Sequence, residues 1–266
     1  MPFLTLDDIK LHYREDGEPG GAPVVFANSL GTNLHLWDPI MPQLPKGLRI
    51  IRYDMRGHGQ TDVPEPPYSM GAMVRDVEQL MDHLAVKDAL FVGLSVGGLV
   101  AQGLATKRMD LVRAMVLSNT AAKIGTHEIW QGRFDMIRAG GMEAVADATM
   151  ERWFSKAWHG SDQIAPWREM LVATEPDGYI GTGHAIAGTD FYTTTAALTL
   201  PTLAIAGAED GATPPDLMRE TQELIKGSQF HLIRRGGHLP CVEQPQEYAE
   251  VLTRFMRDTG HIGGHI

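Results

Sequence analysis

At 266 residues the chain suits one large domain, or one domain carrying a sizeable insertion. Hydrophobic residues make up 43% and charged residues 21%, an ordinary balance for a globular protein that can bury a site without metals or disulfides. The formal net charge of −10 argues against a nucleic-acid partner, which needs a basic stripe, and it requires a local cation wherever an anionic substrate is to bind.

The chain opens Met1-Pro2-Phe3-Leu4-Thr5-Leu6-Asp7-Asp8, with neither a basic leader nor a long apolar segment. No run approaches the roughly 18 uncharged apolar residues of a membrane span, so no membrane partner and a cytoplasmic location are expected. Residues 23–28 and 48–54 read as buried strands. Met73, Val74, Val77, Leu80, Met81 and Leu84 then recur with helical spacing. Strands follow at 89–94 and 112–118, the alternation of a mostly parallel sheet flanked by helices.

From about residue 121 to 198 the alternation stops. The segment is helical in tone, lacks a buried strand, and holds four of the five tryptophans: Trp130, Trp153, Trp158 and Trp167. It is expected to form a helical cap (121–198) over a core made of residues 1–120 and 199–266, with the large rings facing a site. The core pattern returns with a strand at 202–206, a helix at 217–226 closed by Gly227, and a strand at 230–233. A last helix runs from Pro245 with Tyr248, Val251, Leu252, Phe255 and Met256 on one face. The lone cysteine, Cys241, cannot form an intramolecular disulfide and gives no support to secretion. His261 and His265, in the glycine-rich end, read as a frayed terminus and not as metal ligands.

The chemistry begins at Gly93-Leu94-Ser95-Val96-Gly97, a G-x-S-x-G pattern between a strand and a helix. There a serine is lifted clear of the sheet on a strained turn, and side chains at the flanking glycines would collide with it. A phosphate loop is excluded because no Gly-Lys-Ser/Thr follows, and no G-x-G-x-x-G marks a dinucleotide site. A serine hydroxyl needs a base. His238, in Gly236-Gly237-His238 after the final strand, is placed best among eleven histidines. The acid that orients it is expected after strand 202–206, where Glu209 and Asp210 compete; the shorter Asp210 suits a fixed hydrogen bond to the ring. Asn119, at the end of an earlier strand, is neutral and cannot stabilise an imidazolium. The order Ser, Asp, His separates this arrangement from other serine hydrolases. Two backbone N–H groups are needed for an oxyanion: Val96, at a helix N-terminus, and one from the turn Asn28-Ser29-Leu30-Gly31. His58, in Asp54-Met55-Arg56-Gly57-His58-Gly59, reads as part of a glycine-bound turn held by Asp54 and Arg56.

These motifs resemble the α/β-hydrolase superfamily, and the chain resembles one family within it, the 3-oxoadipate enol-lactonases. The likeness is carried by Phe26-Ala27-Asn28-Ser29-Leu30-Gly31, Leu117-Ser118-Asn119-Thr120-Ala121-Ala122-Lys123-Ile124-Gly125, Arg152-Trp153-Phe154, Asp210-Gly211-Ala212-Thr213-Pro214-Pro215 and Val242-Glu243-Gln244-Pro245. The resemblance implies an α/β-hydrolase fold with an eight-stranded, mostly parallel sheet. It supports Asp210 by its spacing and makes Leu30 the second N–H donor. Relatives usually carry His-Gly where this chain has Asn28-Ser29, which leaves Asn28 and Ser29 as extra polar contacts. It departs again at residues 178–184, a loop on this reading.

The implied reaction is hydrolysis of an enol-lactone bearing an acetate arm, through an acyl-enzyme on Ser95, with no metal and no organic cofactor. The partner is then a small anionic lactone. A cap arginine should hold the arm, and of Arg133, Arg138, Arg152 and Arg168 the preferred one is Arg133, which shares a helix face with Trp130. Trp153 and Ser29 complete the expected binding residues. The alternatives are a cofactor-free carboxylesterase or perhydrolase of the haloperoxidase-like branch, and a ligand receptor of the same fold. Oligomeric state is not legible.

Overall fold

The computed structural model describes residues 2–263. Eight strands form one sheet: β1 (Phe3–Thr5), β2 (Lys10–Gly17), β3 (Ala22–Ala27), β4 (Leu48–Tyr53), β5 (Ala89–Leu94), β6 (Val112–Ser118), β7 (Thr202–Gly207) and β8 (Gln229–Ile233). Their spatial order is β1-β2-β4-β3-β5-β6-β7-β8. β1 and β2 run antiparallel to their neighbours, and every pairing from β4 to β8 is parallel.

The central strands form because their sequences are short, continuous apolar runs that can be covered on both faces. All six residues of β5, Ala-Leu-Phe-Val-Gly-Leu, are buried, as are all six of β7. The covering helices supply amphipathic faces. In α1 (Met70–His83) Met73, Val74, Val77, Leu80 and Met81 are buried, and the Ser69 side chain caps the first turn by accepting from the Ala72 N–H. The predicted C-terminal helix is α9 (Pro245–Asp258), with Tyr248, Val251, Leu252, Phe255 and Met256 buried. The helix expected at 217–226 starts two residues earlier, as α8 (Pro215–Glu223), and ends before Gly227, whose φ of +81° lies in the turn that follows.

Between β6 and β7 every element is helical: α3 (His127–Gly140), α4 (Glu143–Trp153), α5 (Ala165–Val172), α6 (Pro176–Ala187) and the short α7 (Tyr192–Ala196). The stretch 178–184, read as a loop, is the buried middle of α6. Three of its glycines allow close packing. A Cβ on Gly178 would lie 1.9 Å from the Gly57 carbonyl oxygen, one on Gly181 2.6 Å from the Tyr68 ring, and one on Gly183 2.5 Å from Phe134. Glycine is a poor helix former, and here close packing against Gly57, Tyr68 and Phe134 outweighs propensity.

His261 corrects the reading of a frayed end: its side chain is buried and its N–H donates to Met256 O at 2.8 Å. His265 lies outside the described residues. No helix among the described residues is long and apolar enough to cross a membrane.

Candidate active site

Ser95 sits between β5 and the helix α2 (Val96–Lys107), with φ +58° and ψ −117°. That conformation is strained for a residue with a side chain. It is held from three directions: Ser95 N–H donates to Ser118 O (2.9 Å), and Ser95 O accepts from the Gly98 N–H (2.9 Å) and from Thr120 Oγ1 (2.6 Å). The glycines either side answer the collision argument. A Cβ on Gly93 would lie 2.2 Å from Gly97 O, and one on Gly97 would lie 2.2 Å from Ala27 O.

Across the site, His238 follows β8 in the loop Gly236-Gly237. Its Nδ1 is 2.9 Å from Asp210 Oδ2, with the His238 and Asp210 side chains 2% and 0% exposed. Asp210 accepts four further hydrogen bonds. Oδ1 takes the N–H groups of Ala212 (2.7 Å) and Thr213 (3.0 Å), and Oδ2 takes Thr213 Oγ1 (2.8 Å) and Asn119 Nδ2 (2.8 Å). Five donors converge on its two oxygens and fix the carboxylate in place. Glu209, the rival, is exposed and among the described residues accepts only from the Lys156 N–H, at 3.0 Å.

Asn119, too neutral to be the acid, supports it instead. Its neutrality is what lets it serve: Nδ2 donates both to Asp210 and to Gly237 O (3.1 Å), and its φ of +46° is one that asparagine tolerates. Glu243 was also missed as a support. Its buried carboxylate accepts from the N–H groups of Gly237 and Ser155 and from Ser155 Oγ (2.6 Å). Burial pushes its pKa up, against those three hydrogen bonds. His238 N–H donates to Trp153 O at 2.7 Å, and Gly211 N–H to Arg152 O at 3.1 Å. The end of α4 is thus tied to the loops of both His238 and Asp210.

A cavity of about 290 Å³ brings these parts together. Its walls include Ser29, Leu30, Ser95, Gly211, Thr213 and His238 from one side and Ile124, Ile129, Trp130, Arg133, Arg152, Trp153 and Tyr179 from the other. Ser29 Oγ lies 3.4 Å from His238 Nε2. Val96 is the first residue of α2, so its N–H has no acceptor within the helix. Asn28, expected as a polar contact, is withdrawn from the wall. Its Oδ1 accepts from Trp37 Nε1 (2.8 Å) and its Nδ2 donates to Tyr53 O (2.8 Å).

Four arginines were candidates for an anion, and they divide cleanly. Arg168 pairs with Glu143 and Asp147, and Arg138 with Asp135. Among the described residues Arg133 and Arg152 pair with no carboxylate, and both line the cavity. Arg133 Nη1 donates to Tyr179 Oη (3.1 Å), and its guanidinium lies over Trp130 at 5.4 Å from the ring centroid. Arg152 Nη2 donates to Thr149 Oγ1 (3.1 Å). Burial, and secondly the charge of Arg133, lower the pKa of Arg152. No group of three or more histidine, cysteine or acidic residues that could hold a metal ion occurs among the described residues.

A family model described as alpha/beta hydrolase fold matches residues 22–245. The chain is 32% identical over 256 residues to 3-oxoadipate enol-lactonase 2 of Acinetobacter baylyi, covering 96% of each. It is 34% identical over 242 residues to 3-oxoadipate enol-lactonase 1 of the same organism, covering 90% of each. Among solved structures it is similar to the enol-lactonase from Burkholderia xenovorans LB400. The TM-score is 0.92 at 35% identity, over 96% of this chain and 99% of that one.

Proposed function

The chain belongs to the α/β-hydrolase family as a hydrolase of the lactone or ester type, and from that premise we propose that it opens 3-oxoadipate enol-lactone with Ser95, His238 and Asp210. The observation that carries the choice of substrate is the pair of arginines on the cavity wall that, among the described residues, have no acid partner. Two half-buried cations on one cavity wall, close enough for the charge of Arg133 to lower the pKa of Arg152, are costly unless an anion joins them. The protein's net charge of −10 would repel an anion at long range, so a concentrated local charge is the economical way to hold one.

In the proposed reaction Ser95 Oγ attacks the lactone carbonyl while its proton passes to His238 Nε2. The carbonyl oxygen becomes an oxyanion facing the N–H groups of Leu30 and Val96. Collapse breaks the ring C–O bond, and the enolate oxygen takes the proton from the imidazolium. The leaving group stays tethered to the acyl chain, so it could re-close the ring, but tautomerisation of the enol to a ketone removes that nucleophile. Water, giving its proton to His238, then attacks the ester carbon. Ser95 recovers its proton, and the linear dicarboxylate leaves. Asp210 holds the ring so that Nδ1 carries the fixed proton. No step calls for a metal or an organic cofactor. A cytoplasmic setting belongs to the same proposal.

Arg133→Ala should raise KM for the enol-lactone by roughly 10- to 100-fold, the effect of one lost charge-assisted hydrogen bond, while leaving neutral ester hydrolysis almost unchanged. Steady-state kinetics on the lactone and on p-nitrophenyl acetate check this. Equal effects on both, or none on either, would remove the arm from Arg133 and leave Arg152→Ala as the deciding variant. Wild-type turnover of neutral aryl esters far above that of the lactone would point to a general esterase instead. Saturating EDTA should leave the rate unchanged, and a loss restored by a divalent ion would overturn the serine mechanism.

A further inference from the structure

His238 Nε2, the atom that takes the serine proton, has a hydroxyl beside it that is not the nucleophile's. Ser29 Oγ lies 3.4 Å away, whereas Ser95 Oγ makes no hydrogen bond among the described residues. Ser29 is 1% exposed and lines the cavity, and its hydroxyl has no other partner among the described residues. At that distance the contact is too long for a strong hydrogen bond. The hydroxyl is therefore held next to the base without being occupied by it, and it can both donate and accept.

The turn that carries Ser29 is fixed on several sides. Ser29 O accepts from the Thr32 N–H (3.2 Å) and from Thr32 Oγ1 (2.8 Å). Asn28 O accepts from the Gly97 N–H at 3.2 Å, which ties the turn to the start of α2, and His58 Nε2 accepts from the Gly31 N–H at 3.0 Å. Such a hydroxyl is oriented before any charge develops near it, the condition for stabilising that charge at little cost.

The place of the leaving oxygen follows from the reaction set out above. It is bonded to the carbon that Ser95 attacks, whose other oxygen faces the Leu30 and Val96 N–H groups. It must also face His238 Nε2 to take the proton. Ser29 meets both demands, since its side chain reaches Nε2 and the peptide that follows it carries the Leu30 N–H. The water of the second half-reaction attacks the same carbon and gives its proton to the same nitrogen, so it enters where the leaving oxygen departed.

We propose that Ser29 is a further catalytic residue, whose hydroxyl donates to the leaving oxygen as the C–O bond breaks and afterwards holds the attacking water. The proposal rests on the serine mechanism above but not on which ester or lactone is opened. In acylation the electron pair of the broken C–O bond goes to the leaving oxygen, which takes the Nε2 proton. Ser29 keeps its own proton and shares it as a hydrogen bond. In deacylation the water oxygen bonds to the acyl carbon, gives one proton to Nε2 and points the other at Ser29 Oγ. Two fixed points orient that water better than one.

The test compares Ser29→Ala with the wild type on two acetates that form the same acyl-enzyme. p-Nitrophenolate leaves as a stabilised anion and needs no donor, whereas the ethoxide of ethyl acetate does. On p-nitrophenyl acetate the stopped-flow burst rate should stay within about threefold of wild type, and the steady rate should fall roughly tenfold. On ethyl acetate kcat/KM should fall roughly tenfold or more. A variant that merely displaced His238 would slow both acylations alike. Equal losses of burst rate and ethyl acetate kcat/KM, or no loss in either assay, would overturn the proposal. Should Ser29→Ala fail to fold, Ser29→Gly removes the same hydroxyl and must show the same split between the esters. Ser95→Ala separates the two readings. If the burst is lost there while Ser29→Ala matches the wild type on both esters, Ser29 alone is dismissed; if the burst survives in Ser95→Ala, the serine mechanism falls and this proposal with it.

Discussion

Ser95→Ala should fold with an unchanged melting temperature, yet its kcat should fall by roughly 10⁵ or more. The structure explains both halves. The serine hydroxyl makes no hydrogen bond among the described residues, so removing it strands no buried partner. Alanine keeps the Cβ, so the cost of φ +58° is the same in both proteins. On the proposed mechanism what disappears is the attacking atom, leaving only the cavity, the N–H groups and water. His238→Ala should lose a similar amount. The double variant should lose little more than either single one, because on the proposed mechanism the two side chains act on one proton. Purified variants compared by thermal melting and single-turnover kinetics check this, and additive losses would show that the two side chains do not work as a unit.

Asp210→Asn is the second large effect, expected at about 10⁴ in kcat because an amide favours the wrong imidazole tautomer. The hydrogen bonds around Asp210 predict more than a kinetic defect. Each carboxylate oxygen faces at least two donors, so an amide nitrogen on either side must point N–H groups at other N–H or O–H groups. One or two buried donors are then stranded, at about 1–3 kcal/mol each. The variant should therefore also melt several degrees lower, unlike Ser95→Ala. Glu209→Gln, on an exposed side chain, should be mild in both assays. The reverse ranking would move the acid to Glu209.

The unequal legibility of these features has a physical cause. β5 and β7 were visible because a strand covered on both faces needs a short, nearly continuous apolar run, which Ala89–Leu94 and Thr202–Gly207 provide. β2 was not, because Lys10–Gly17 lies beside β1 and β4 near the sheet edge and carries Arg14, Glu15 and Asp16. Its stability comes from antiparallel pairing with β4, which no local pattern announces. The site divides the same way. Ser95 lies between two glycines and His238 follows a pair of them, so their neighbours advertised them. Asn119 reaches Asp210 across 91 positions, and Ser155 reaches Glu243 across 88. Such contacts exist only once β6, β7 and the helical segment are stacked. Asn28 misled for a related reason: a polar residue beside the turn looked available until Trp37 and Tyr53 occupied it.

The few residues closing α4 have a consequence for how such enzymes can diversify. Carbonyls of Arg152 and Trp153 hold Gly211 and His238 by their N–H groups, Ser155 is bound by Glu243, and Lys156 by Glu209. A Cβ on Gly237 would strike the Trp153 carbonyl oxygen at 2.4 Å, so the fit leaves no slack. Residues 152–156 sit in the middle of the helical segment between β6 and β7 by chain position, but mechanically they belong with the loops of His238 and Asp210. Transplanting that segment from a relative is therefore no exchange of independent modules, since the graft brings its own seat for the histidine loop. The segment free to vary is the rim around α3, where Ile129 and Met136 are 64% and 50% exposed and no comparable tether to the histidine and acid loops occurs among the described residues. New substrate ranges should arise by drift along that rim, while the seat at 152–156 is inherited with the fold.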